Sequence, residues 1–169
     1  MLNEQTIQKL NDLRLYAMAK AFRDQSGDTA LAGLSFEDRF GLIVDRQWSE
    51  RKNANISRLI KTGTFKFSRA CVENIEYHPD RKLNKDLILQ LAAGKYISDK
   101  NNVIVLGASG AGKSYIGCAL GISACRQLVK TKYIRLPELL EDLHIARGEG
   151  RYKKVLAAYK KYQLLILDE

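Results

Sequence analysis

The chain has 169 residues, 46% of them hydrophobic and 28% charged, a composition that folds rather than one that stays disordered. Lys and Arg outnumber Asp and Glu by 28 to 19, and the resulting +9 favours polyanions such as nucleic acid as partners. There is no apolar run of about 18 residues, no apolar leader behind a basic start, and no CxxC or zinc spacing among Cys71, Cys118 and Cys125. A membrane-spanning helix, a secretory signal and a zinc site are therefore not expected; free thiols and a cytoplasmic setting are.

Apolar positions at Ile7, Leu10, Leu13, Ala17 and Ala21 predict a helix over residues 6–25, which QSGD at 25–28 breaks. Ser35 and Asp38 resemble a capping box. They open a second helix from Phe36 toward Ile60, with Phe40, Ile43, Val44, Gln47, Trp48 and Leu59 near one face. Thr62-Gly63-Thr64 ends it, so residues 1–63 read as a small all-helical module. Residues 64–83 read as a basic, irregular linker with Pro79 inside it. Asn84 can cap a helix through Leu87, Ile88 and Leu91 that Gly94 ends.

Beyond Gly94 the pattern changes. NVIVL (102–106) is a continuous apolar run that suits a strand buried on both faces of a parallel sheet. A glycine loop and a helix from Lys113 to about Leu128 follow it. TKYIRL (131–136) is a second strand, and Pro137 sits in the first turn of a helix through His144. RGEGR (147–151) breaks the chain before a helix over 152–162, and QLLIL (163–167) is a third strand. Alternating strands and helices predict an α/β fold with a mostly parallel sheet, three strands of which are present in residues 84–169.

GASGAGKS, Gly107 to Ser114, fills every fixed position of G-x-x-x-x-G-K-[ST]. Glycines let successive N–H groups turn toward phosphate oxygens, and the following helix adds the positive end of its dipole. The expected nucleotide-binding residues are Gly107, Ala108, Ser109, Gly110, Ala111, Gly112, Lys113, Ser114 and Tyr115, with Lys113 reaching the β- and γ-phosphates. LLILDE (164–169) then reads as a Walker B strand: an apolar run with an acid at its tip. Ser114 and Asp168 are the expected Mg²⁺ ligands, and Glu169 is placed to polarise the attacking water. Lys113, Asp168 and Glu169 form the candidate catalytic set, with ATP and Mg²⁺ as cofactors. A core of this type has about five parallel strands, so the chain reads as the front part of a longer protein.

The sequence resembles the IstB-like ATPases, transposition helpers related to DnaC-type helicase loaders within the AAA+ superfamily. The resemblance rests on LNDLRLYAMAKAF, FKFSRACVENIEY, LNKDLILQLAAGKYISDKNNVIVLGASGAGKSYIGCALG, YIRLPELLEDL and YKKYQLLILDE. It implies a partial AAA+ domain behind the helical module. It also implies an ATP-dependent protein that multimerises on double-stranded DNA and assists a transposase, with sensor residues and the arginine finger beyond residue 169. ATP binding is thus a firmer expectation for this chain than turnover. Two other readings stay open: a helicase loader, whose N-terminal module binds a helicase, and an inactive remnant that keeps at most DNA or partner binding.

Two basic groups are candidate DNA contacts. Arg51, Lys52, Arg58, Lys61, Lys66 and Arg69 fall in a stretch with no acidic residue, where Phe65 or Phe67 could stack on a base. Arg147, Arg151, Lys153 and Lys154 flank a glycine break. Each group reads equally as a solvated helix face. Ile75 and Tyr77 lie either against adenine, as in AAA+ relatives, or in the core. The lone His78 and His144 are structural, and Cys118 and Cys125, seven apart on one helix face, are buried small hydrophobes.

Overall fold

The computed structural model describes residues 2–28, 31, 33–78 and 82–169. Pro79 and Arg81, part of the expected linker, lie outside them. Among the described residues the chain is mostly helical, with one small parallel sheet. It divides into two compact units, Met1–Asn55 and Ile56–Glu169.

The first unit holds α1 (Leu2–Asp12), α2 (Tyr16–Gly27) and most of α3 (Phe36–Gly63), which continues into the second unit. The single helix expected over 6–25 is two helices. Arg14 takes a left-handed φ of 58°, and the Leu15 N–H reaches back to the Leu10 carbonyl at 2.8 Å, a Schellman-type closure without glycine. Ser35 caps α3: its hydroxyl accepts from the Asp38 N–H at 3.1 Å and donates to the Asp38 carboxylate at 2.8 Å. The Gln47 amide oxygen accepts from the Met18 N–H at 3.2 Å, which satisfies a donor in the first turn of α2.

The inward face of α3 differs from the expected one. Ile43 is buried in the first unit and Leu59 in the second, but Phe40, Val44 and Trp48 are exposed. Residues four apart drift by about 40° per step on a 3.6-residue helix. Val44 and Trp48 thus turn well away from the line of Ile43 and Gln47, while Phe36, close to that line near the start of the helix, is exposed as well.

In the second unit the chain runs through a 3-10 turn (Val72–Asn74), α4 (Lys85–Ala92), α5 (Lys95–Ser98) and α6 (Lys113–Arg126). It continues through β1 (Thr131–Arg135), α7 (Leu136–Gly148), α8 (Tyr152–Tyr159) and β2 (Leu164–Asp168). The Asn84 side chain accepts from the Leu87 N–H at 3.1 Å and caps α4, and Pro137 stands in the first turn of α7. α6 is apolar nearly all round and buries Ile116, Cys118, Ala119, Leu120, Ile122 and Cys125 at the centre of the core. Phe65, Ala70, Val72 and Ile75 pack into that core, and Tyr77 lies against it.

β1 and β2 pair in parallel, with Tyr133 opposite Ile166 and Arg135 opposite Asp168. Strand alternation puts Thr131, Tyr133 and Arg135 on one face together with Leu164, Ile166 and Asp168. That face meets α6 so closely that a Cβ at Gly121 would lie 2.5 Å from Ile166 Cδ1 and 2.6 Å from Phe65 Cε1.

The sheet has two strands among the described residues, not the three expected. Residues 102–106 form no strand and carry no backbone ladder bond, and Ile104 and Leu106 are 80% and 87% exposed. The physical reason is pairing: an apolar run becomes a strand only beside a hydrogen-bonded neighbour. β1 and β2 pair with each other and leave 102–106 without one.

Candidate functional site

The glycine loop lies directly before α6. Gly110 and Gly112 have φ of 77° and 88°, a conformation open to glycine at little cost. A Cβ at Gly110 would meet nothing within 4 Å, so the loop faces open space there. The Ala111 N–H turns back to the Ala108 carbonyl at 3.2 Å and tightens the loop. The Lys113 ammonium folds over it and donates to the Gly107 and Ala108 carbonyls, both at 3.0 Å. The first N–H groups of α6 have no acceptor within the helix and point toward the loop, with the positive end of the helix dipole behind them. This is the chemistry of an anion cradle.

The strand tip closes the site. Ser114 Oγ donates to Asp168 Oδ1 at 2.9 Å across a sequence separation of 54 residues. The Tyr133 hydroxyl donates to Asp168 Oδ2. Partial burial works to raise the Asp168 carboxyl, but hydrogen bonds from Tyr133 and Ser114, with the charges of Lys66 and Arg135, outweigh it and hold the carboxyl below its ordinary value. Burial first, and then the hydrogen bond and charge of Asp168, push the Tyr133 phenol up. Glu169 is exposed and lines a cavity of about 720 Å³ together with Lys66, Tyr133 and Arg135.

Ser114 and Asp168 offer two hard oxygens side by side, a donor set that suits a small hard cation such as Mg²⁺. No group of three or more His, Cys, Asp or Glu side chains arranged for a metal occurs among the described residues. Lys113 folds over the loop, and Ser114, next along α6, meets Asp168. Tyr133 is a member of the cluster that sequence reasoning missed. Tyr115 follows the loop with its ring 5.8 Å from that of Phe67, and its hydroxyl accepts from the Cys71 N–H at 3.4 Å.

The other candidates are distributed differently. Arg51 and Lys52 belong to the first unit, and Lys52 lies over the Trp48 ring at 4.7 Å. Arg58, Lys61, Lys66 and Arg69 belong to the second unit and are exposed. Phe65 is buried in the core and cannot stack on a base, whereas Phe67 is 40% exposed with Lys66 over its ring at 5.6 Å. Arg147, Arg151, Lys153 and Lys154 are exposed; Arg147 lies 6.0 Å from the Tyr152 ring, and Arg151 pairs with Glu149. Ile75 is a core residue, and the Tyr77 hydroxyl is enclosed without a hydrogen-bond partner. His78 is exposed beside Glu76, and His144 is exposed on α7. Cys118 and Cys125 are fully buried free thiols whose pKa burial pushes up.

Residues 8–169 match the family described as IstB-like ATP binding protein. The chain is 38% identical to a Pseudomonas fluorescens protein named as an ATP-binding protein of insertion sequence IS1162, over 100% of this chain and 73% of that protein. It is 36% identical to the insertion sequence ATP-binding protein y4pL of Sinorhizobium fredii, over 100% of this chain and 69% of the relative. A Bacillus thuringiensis relative named for insertion sequence IS232 is 28% identical over 98% of this chain and 66% of its own length.

Proposed function

The chain belongs to the IstB-like ATP-binding proteins, and from that premise we propose that it binds Mg·ATP at Gly107–Ser114 as a transposition helper ATPase. The observation that carries this reading is the Ser114–Asp168 hydrogen bond, which joins two motifs far apart in sequence at the mouth of the glycine loop. Backbone N–H groups of the loop and of the first turn of α6 cradle the phosphates. Lys113 exchanges the Gly107 and Ala108 carbonyls for the β- and γ-phosphates. Ser114 and Asp168 would hold Mg²⁺, which would supply charge neutralisation for the phosphates, and Glu169 would orient the attacking water.

The relatives' insertion-sequence names favour a transposase over a helicase as the protein partner. Double-stranded DNA is the proposed polyanion for the +9 chain, contacted through backbone phosphates by Arg58, Lys61, Lys66 and Arg69 or by Arg147, Arg151, Lys153 and Lys154. Assembly into a homo-oligomer on that DNA belongs to the same proposal. A titration with a fluorescent ATP analogue tests the nucleotide reading. The parent chain should bind in Mg²⁺, and Lys113→Ala should weaken binding at least about tenfold, the loss of one charge-assisted contact to phosphate. Equal, negligible binding by both would reduce the chain to a DNA- or partner-binding role.

A further inference from the structure

We infer that Tyr133 is a positioning residue for the metal site: its hydroxyl fixes the Asp168 carboxylate so that the oxygen shared with Ser114 faces the cation. This inference rests on the proposed role of Ser114 and Asp168 as Mg²⁺ holders. Tyr133 lies opposite Ile166, and Asp168 lies two residues further along β2 on the same face. Two strand residues span about 6.6 Å, the distance a tyrosine side chain covers when it leans along the strand. Serine or threonine at this position falls short, and phenylalanine reaches without a donor.

A carboxylate offers about four lone-pair directions over its two oxygens. Ser114 engages Oδ1 and Tyr133 engages Oδ2. With one donor on each oxygen, rotation about the terminal side-chain bond breaks both hydrogen bonds at once. With Ser114 alone, the carboxylate plane is free to turn about that single hydrogen bond. With both donors in place, Ser114 Oγ and Asp168 Oδ1 stay side by side, each with lone pairs left for a cation.

A phenol donates a proton without bringing a positive charge, so Asp168 keeps its full negative charge for a cation. A lysine or arginine at position 133 would neutralise it. Tyr133 is itself held rigidly: it is 5% exposed, and its carbonyl accepts from Thr64 Oγ1 at 2.9 Å just past the end of α3. Partners that orient metal ligands in this way are worth about 10–100-fold in metal affinity when removed.

The test is Tyr133→Phe, which keeps the ring and removes the hydroxyl. Mn²⁺ binding is followed by electron paramagnetic resonance with and without nucleotide, and ATP-analogue binding is measured separately in EDTA. The expected result is a loss of about 10-fold or more in Mn²⁺ affinity, with nucleotide affinity in EDTA unchanged and the thermal midpoint of the metal-free chain lowered by the lost hydrogen bond to Asp168. Asp168→Asn marks the full loss of the metal site. Unchanged Mn²⁺ affinity in Tyr133→Phe overturns the inference while leaving nucleotide binding intact. Mn²⁺ binding that needs Asp168, in a chain that binds no nucleotide, overturns the proposed function while the tyrosine result still decides the inference. If Tyr133→Phe fails to fold, 3-fluorotyrosine placed at position 133 replaces it. Its fluorine resonance should move on addition of Mg²⁺, and a resonance that ignores Mg²⁺ overturns the inference.

Discussion

Asp168 has the most partners of any residue in the site: it accepts two hydrogen bonds and lies near two cations. Its folded pKa lies below its unfolded value of about 3.9. The sign follows from linkage: its contribution to stability is complete above about pH 4 and disappears as pH falls through the folded value. Asp168→Asn should therefore lose less stability than the parent between about pH 4 and pH 2, as urea unfolding at a series of pH values would measure. At this scale Lys113, Ser114 and Asp168 stood out because the G-x-x-x-x-G-K-[ST] pattern fixes residue types at fixed offsets and an acid ends a later apolar run. Tyr133 did not. A tyrosine in a β-rich run reads as a strand former, and its hydroxyl finds Asp168 only through the β1–β2 register, which two separate segments decide jointly. Phe65 misled for a similar reason, since its exposure depends on α6 and not on its basic neighbours.

At the scale of elements, the helices α4, α6, α7 and α8, the strands 131–135 and 164–168 and the cap at Ser35 all follow from local patterns of periodicity, capping and punctuation, whereas the short α5 was not expected. The failures come where an element needs a neighbour. NVIVL has strand composition but pairs with no strand among the described residues, and the buried line of α3 is chosen by its packing and not by its aromatics. The contact of α6 with β2 shows how sharply packing sets sequence. Gly117 and Gly121 lie one turn apart on that helix, yet alanine should act oppositely at the two. At Gly121 the new Cβ would press on Ile166 and on the ring of Phe65, costing about 1–3 kcal/mol and outweighing the roughly 1 kcal/mol that alanine gains in helix propensity. At Gly117 the nearest atom is Ile166 Cγ2 at 3.5 Å, an ordinary contact, so the propensity gain of up to about 1 kcal/mol remains. Urea unfolding should show Gly121→Ala below the parent and Gly117→Ala at or above it.

For the whole molecule, the exposed apolar surface is the main liability. Ile104, Leu106 and Leu167 are at least half exposed around the sheet and the segment that leads into the loop. Open strand edges and unpaired apolar runs template association between copies. Ile104→Lys should reduce concentration-dependent light scattering while leaving the thermal midpoint unchanged, because its side chain is 80% exposed. The change in periodicity near Gly94 suggested a helical opening over residues 1–63, a linker over 64–83 and a second domain from 84. The boundary between compact units falls instead at Asn55, inside the long helix α3, where no turn signal marks it.

The central claim is that the glycine loop and the strand tip hold Mg·ATP. Amide resonances of the ¹⁵N-labelled chain, recorded during a titration with Mg²⁺ and a non-hydrolysable ATP analogue, test it most directly. The account predicts saturable shifts concentrated at Gly107–Tyr115 and Asp168, absent in Lys113→Ala. Shifts confined to the lining of the 720 Å³ cavity, at Thr64, Lys132 and Asp142, would place the ligand elsewhere and contradict it, as would a spectrum that nucleotide leaves unchanged.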